Sequence, residues 1–208
     1  MSTVPNSLMT EEQYLAFERA SETRHEFCRG EIFAMAGATE NHNLASGNLF
    51  VAVQVALRDR PCRAYTLDMR VFAPRSRSYM YPDIVVACPP IEFQDDKRDT
   101  LLNPQIVVEV LSPSTSSYDR GQKFDLYLQS ESLQQYVLVN QDEPRVMSYI
   151  RQPDGIGWLM TPLEGLNAVL DFPTLGVRVP LSEIYRNVEF PPPLTPAELQ
   201  AQLNALRS

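Results

Sequence analysis

Two carboxylates stand inside apolar runs, in Tyr81-Pro82-Asp83-Ile84-Val85-Val86-Ala87 and in Gln105-Ile106-Val107-Val108-Glu109-Val110-Leu111. β-Branched residues follow one another there with little alternation, the pattern of strands covered on both faces. A carboxylate in such a setting is costly unless it is paired, protonated or bound to a cation. Two of them on neighbouring central strands would form a site for a hard divalent metal. The competing readings are structural: Asp83, just after Pro82, as a turn aspartate at a strand start, and Glu109 as half of a buried ion pair.

A lysine completes the set. The chain has only two, Lys97 and Lys123. Lys97 falls in Asp95-Asp96-Lys97-Arg98-Asp99, which reads as a solvated loop. Lys123 precedes Phe124 and lies one turn before Tyr127, on the flank of a helical stripe. From there its stem can lie on apolar surface while the ammonium reaches a polar pocket. An ordinary snorkelling surface lysine is the alternative. Two carboxylates and a lysine at a sheet edge suit phosphodiester hydrolysis. The carboxylates hold one or two Mg²⁺ (or Mn²⁺) ions that polarise the phosphoryl oxygen and acidify the attacking water. The ammonium orients that water or offsets charge in the transition state.

The elements that must position these groups follow from periodicity and caps. Thr10 with Gln13 forms a capping box for a helix over Glu11–Ala20. Residues 25–35 read as a hairpin turning near Cys28-Arg29-Gly30-Glu31. Asn41 opens a helix running to about Leu57. Residues 63–67 and 69–73 are strand-like, and 92–103 form an Asp-rich polar loop. A helix is predicted from about Tyr118 to Gln129, with Phe124, Tyr127 and Leu128 as its apolar face. A strand follows at 135–140, then a hairpin of 145–151 with 158–161 around Pro153-Asp154-Gly155. Residues 179–185 carry a short helix. Pro191-Pro192-Pro193 marks a linker, and Thr195-Pro196-Ala197-Glu198 starts a tail helix striped by Leu199, Leu203 and Leu206. The expected organisation is one domain over 1–190 and a linker with a short helix over 191–208. The fold class is α/β (α+β), a mixed central sheet flanked by helices. Strands that arrive in pairs without crossover helices exclude a regular doubly wound fold. No Gly-rich phosphate loop follows a strand, so nucleotide binding has no support.

With 208 residues, 44% hydrophobic and 21% charged, the chain has an ordinary soluble composition and room for a sizeable core. The net charge of −8 argues against a general nucleic-acid coat protein. Arg58, Arg60, Arg63, Arg70, Arg75 and Arg77 nevertheless cluster ahead of Asp83, diluted by Asp59 and Asp68. Either they form a strip that neutralises phosphates or they are scattered solvated arginines. No apolar run has the length of a transmembrane helix, and residues 1–12 lack the pattern of a signal peptide. Cys28, Cys62 and Cys88 are odd in number, widely spaced and form no CxxC pair. The expectation is free thiols in a cytoplasmic protein, with no zinc site.

A longer string of residues carries a resemblance. Tyr-Pro-Asp at 81–83 and Val108-Glu109-Val110-Leu111-Ser112-Pro113-Ser114-Thr115 are followed by Tyr118-Asp119-Arg120-Gly121-Gln122-Lys123-Phe124 and Tyr127. His25-Glu26-Phe27, Gly30-Glu31-Ile32, Met35-Ala36-Gly37 ahead of His42, and Asp68-Met69-Arg70-Val71 belong to the same pattern. From about Thr10 to Glu189 the chain resembles the Uma-type family, bacterial proteins described as restriction endonucleases with the PD-(D/E)XK nuclease fold. The resemblance implies a restriction-endonuclease-like core and a Mg²⁺-dependent DNA endonuclease. Asp83, Glu109 and the carbonyl of Val110 would bind the metal. The fold's usual third motif position holds Leu111, which cannot orient water, so Lys123 is the candidate for a migrated amine. Glu26 or Glu31 would lie near the metal, with His42 facing the same cleft and Asp68 open. Each has a plainer alternative, as a turn-flanking acid or a helix-start histidine. Nucleases of this fold often cut as homodimers, and the Leu199/Leu203/Leu206 tail could serve such an interface. Two other functions stay open: a nuclease-fold nucleic-acid-binding or regulatory protein without turnover, and a metal-dependent hydrolase of small phosphoesters.

Overall fold

The computed structural model describes residues 8–35, 37–66, 68–112, 116–192, 200 and 204. Helix α1 (Glu11–Ala20) starts at the expected box: Thr10 Oγ1 accepts from the Gln13 N–H, and the Gln13 side chain accepts from the Thr10 N–H. Strands β1 (His25–Cys28) and β2 (Glu31–Ala34) form the predicted hairpin. Its two-residue turn places Arg29 at φ 51° and Gly30 at φ 93°. Positive φ at both positions is the turn type whose twist matches the flanking strands, and glycine takes it without penalty.

Helix α2 (Glu40–Ala56) is capped by Thr39 and starts one residue ahead of the expected opening at Asn41. Then come β3 (Arg63–Thr66), β4 (Arg70–Ala73), β5 (Ser78–Met80) and β6 (Ile84–Ala87). The run expected as one strand from Tyr81 therefore begins at Ile84, with Asp83 immediately before it. The polar loop contains the two-residue strand β7 (Thr100–Leu101), and β8 (Ile106–Leu111) carries Glu109 as expected. The helix predicted over 118–129 is two helices, α3 (Ser116–Arg120) and α4 (Gln122–Leu128). Gly121 breaks it, at φ −116° and ψ −98°. Strands β9 (Gln135–Asn140), β10 (Arg145–Arg151) and β11 (Trp158–Glu164) follow. The last is longer than predicted. Strands β12 (Val169–Phe172) and β13 (Val177–Pro180) precede α5 (Leu181–Ile184), the short helix expected there. Leu199, Leu203 and Leu206 lie outside the described residues.

A six-stranded mixed sheet, β11-β10-β9-β8-β6-β3, forms the centre, with β8 and β9 parallel and its other pairs antiparallel. A five-stranded sheet, β2-β1-β5-β4-β7, and the β12-β13 pair complete the set. Strand alternation sorts the central residues onto two faces. Ile84, Val86, Ile106, Val108 and Val110 pack with α2, β12, β13 and α5. Val85, Ala87, Val107 and Leu111 pack on the other side with Leu126 and Tyr127 of α4 and with Cys28, Val71 and Met80 of the second sheet. Helix α1 covers that sheet through Tyr14 and Leu15 on Phe27, Ile32 and Tyr79. Glu109 alternates with Val107 and Leu111, so it points between the two sheets.

One expectation is corrected. Cys62 and Cys88 form a disulfide, and only Cys28 is free. The β3–β6 register pairs Arg63 with Ala87, which sets residue 62 across from residue 88 although they are 26 apart in sequence. The arginine strip also divides. Arg70 is buried against Asp99 at 2.6 Å, whereas Arg75, which faces Glu131, Arg77, which pairs with Glu11, and Arg58, Arg60 and Arg63 are exposed.

Candidate active site

Asp83 and Glu109 meet through strand register. Ile84 pairs with Val108, and continuing by one residue sets Asp83 opposite Glu109. Pro82 has no N–H to give a ladder, and at this end of the pair the Asp83 side chain serves as an acceptor for the neighbouring strand. Its Oδ2 accepts from the Val110 N–H at 2.7 Å. The same oxygen lies 3.3 Å from His42 Nε2, delivered by the first turn of α2. Burial disfavours the charged imidazole, but the Asp83 carboxylate and a backbone hydrogen bond at Val110 outweigh it and raise the His42 pKa.

Lys123 sits in the first turn of α4, just past the break at Gly121, and its direction differs from a snorkelling lysine's. It is 4% exposed. Its ammonium lies 2.8 Å from Glu109 Oε1, 2.9 Å from Glu26 Oε1 and 3.9 Å from Asp119 Oδ1, and it donates to the Tyr81 carbonyl at 3.4 Å. Burial would lower its pKa, yet Glu109, Glu26 and Asp119 together hold it protonated, well above the usual lysine value. For Glu109, burial pushes the carboxyl up; Lys123 opposes this, while Asp119, Asp83 and Glu26 reinforce it. Four carboxylates thus face one ammonium and one imidazole. Such a cluster retains protons or attracts a further cation.

Of the two hairpin acids, Glu26 is the one beside Lys123. It is buried on β1, its Oε1 also accepts from the Tyr81 N–H at 3.1 Å, and its buried Oε2 has no hydrogen-bond partner among the described residues. Glu31 is exposed on β2. Asp68 is 79% exposed at its side chain and pairs with Arg24 at 3.0 Å, away from the cluster. Leu111 is buried in the apolar layer beside Glu109, so the amine comes from α4 and not from β8. Two buried acids, one in the site and one behind it, were not foreseen. Asp119 stands four residues before Lys123, a helical same-face spacing that could have flagged it. Glu18 follows Tyr14 by four residues and Leu15 by three, which puts it on the buried stripe of α1.

Among the described residues, no three His, Cys, Asp or Glu side chains converge closely enough to cage a metal ion. Asp83 and Glu109 nevertheless offer hard oxygen donors from adjacent positions. Mg²⁺ is ordinarily held by one or two carboxylates, with water and substrate phosphate supplying the rest. The donor set fits that mode.

The fold is of the restriction-endonuclease-like class. It superposes on the crystal structure of a "putative nuclease belonging to DUF820" from Anabaena variabilis ATCC 29413, with a TM-score of 0.69 and 18% identity over 85% of this chain and 97% of that one. Residues 11–182 match the Uma2 family, described as "Putative restriction endonuclease". Two uncharacterized proteins of Synechocystis sp. (strain ATCC 27184 / PCC 6803 / Kazusa) are similar along nearly their whole length. One is 36% identical over 172 residues (83% of this chain, 97% of its own), the other 32% over 190 residues (90% and 97%). The chain belongs to the Uma2 family. Among the described residues, no helix is long and apolar enough to cross a membrane.

Proposed function

We propose that this protein is a metal-dependent endonuclease that hydrolyses phosphodiester bonds in DNA. The observation that carries the reading is the buried Lys123 ammonium wedged between Glu109 and Glu26, one strand from Asp83. Asp83, Glu109 and the Val110 carbonyl would hold Mg²⁺ or Mn²⁺. When bound, that ion supplies Lewis-acid polarisation and an acidified water. The Val110 N–H fixes one Asp83 oxygen, and His42 steadies the same atom from α2. Lys123 stays protonated, so it acts as a hydrogen-bond donor and point charge and not as a general base. It orients the attacking water and stabilises charge building on the phosphate.

A second reading, a nuclease-fold binding protein without turnover, draws on a specific feature: Lys123 already neutralises Glu109 and Glu26 internally, while Leu111 fills the third motif position. Cleavage of supercoiled plasmid in Mg²⁺ or Mn²⁺ separates the two. Asp83→Ala, Glu109→Ala and Lys123→Ala should each lose at least about a hundredfold in rate. Wild-type protein no faster than the variants would point to a contaminant and favour the binding reading. Parallel incubation with RNA tests the choice of substrate, and light scattering on the active protein tests the homodimer.

A further inference from the structure

Glu18 is buried on α1, 1% exposed, and takes no part in the chemistry above. A carboxylate so placed is retained only where its partners hold it. Its Oε1 accepts from the His25 backbone N–H at 3.0 Å and from the Tyr81 hydroxyl at 2.9 Å, and its Oε2 lies 3.0 Å from His25 Nδ1. Both partners adjoin the site. His25 is the residue before Glu26 on β1. Tyr81 gives its N–H to Glu26, takes the Lys123 ammonium on its carbonyl and leads through Pro82 into Asp83. The hydroxyl of Tyr14, also on α1, donates to the His25 carbonyl at 2.7 Å and pins the same strand end.

We infer that Glu18 is a positioning residue: one carboxylate clamps the two chain segments that carry Glu26, Asp83 and the carbonyl facing Lys123. The inference rests on the nuclease reading for its functional consequence and on the hydrogen bonds alone for its geometry. Without the clamp, Tyr81 and the start of β1 lose their shared anchor. The acceptors around Lys123 then shift relative to one another. Displacements of about 1 Å at a reacting centre cost up to about a hundredfold in rate.

Three variants define the test. Glu18→Gln keeps an acceptor oxygen for both donors and should stay within about threefold of wild-type kcat. Glu18→Ala removes both arms and should lower kcat at least about tenfold with KM unchanged, measured well below the melting temperature. Tyr81→Phe cuts one arm, and should fall between the two; it decides the matter if Glu18→Ala does not fold. A merely structural role would lower the melting temperature and leave kcat of the folded protein intact, which would overturn the inference. The rate effect should also shrink in a Lys123→Met background, because Glu18 acts in part through the placement of that amine. An additive effect would count against it. Crystal structures supply the arm that needs no activity. In Glu18→Ala, or in Tyr81→Phe if that protein does not fold, the Lys123–Tyr81 and Tyr81–Glu26 contacts should lengthen. If both distances match wild type, the positioning role falls even if the enzyme proves active. If wild-type protein cleaves nothing while the contacts do lengthen, only the nuclease reading falls.

Discussion

Replacing Lys123 by methionine removes the ammonium and keeps the length of the side chain. In the native protein Lys123 is 4% exposed and its ammonium touches Glu109, Glu26 and the Tyr81 carbonyl within 3.4 Å. Deleting one partner of a buried pair costs about 3–5 kcal/mol, because the other is left buried and uncompensated. For a chain of this size that is about 6–20 °C in melting temperature. The penalty depends on pH, and its sign follows from Glu109. Its folded pKa already lies above the unfolded value through burial, and Lys123 is the influence that restrains it. Without Lys123 it rises further. A carboxyl with a raised folded pKa contributes stability that is complete below the unfolded value and is lost as pH rises through the folded one. The gap between wild type and Lys123→Met should therefore widen as pH rises and narrow as pH falls toward the unfolded carboxyl value, over the range from pH 8 down to pH 5. Melts followed by circular dichroism across that range provide the assay. A gap below about 2 °C throughout, or one that widens as pH falls, would refute the reasoning.

Asp99 bridges Arg19 and the buried Arg70, and these guanidiniums hold its carboxyl well below the usual range, Arg19 most strongly. Asp99→Asn should cost about 2–3 kcal/mol at pH 7, discounted for partial exposure. That difference disappears as pH falls through the depressed folded pKa, checked by denaturant titration at pH 7 and pH 2. Reducing the Cys62–Cys88 disulfide opens a loop between residues 26 apart and should remove about 3.5 kcal/mol, or about 7–14 °C. Melts with and without reductant, alongside a thiol count that rises from one to three, would show it; equal melting temperatures would deny it.

The central strands were legible because their chemistry is local. Glu109 among valines had to be a buried carboxyl, and strand alternation then fixed which way it points. The capping box at Thr10 and the two-residue turn at Arg29-Gly30 are likewise written in a few neighbouring residues. The disulfide was not legible, because it depends on the β3–β6 register and not on spacing along the chain. Nor was the choice between Glu26 and Glu31, two acids on one hairpin, since only the packing of α4 and Tyr81 tells them apart. Strands β5, β7 and β12 are two to four residues long and exist because neighbours already present a ladder. The helix break at Gly121 was missed for a related reason: a single glycine within a helical stripe leaves the periodicity intact.

The acid cluster straddles both large sheets. Glu26 comes from the five-stranded sheet, Asp83 from just ahead of β6 and Glu109 from β8, two neighbouring inner strands of the six-stranded one, and Lys123 from a helix between them. No contiguous stretch of chain contains the set, which spans residues 26 to 123. On the nuclease reading, a polypeptide emerging from the ribosome therefore holds no cleaving power until its two layers have closed on each other. Any opening of that seam would disarm it again.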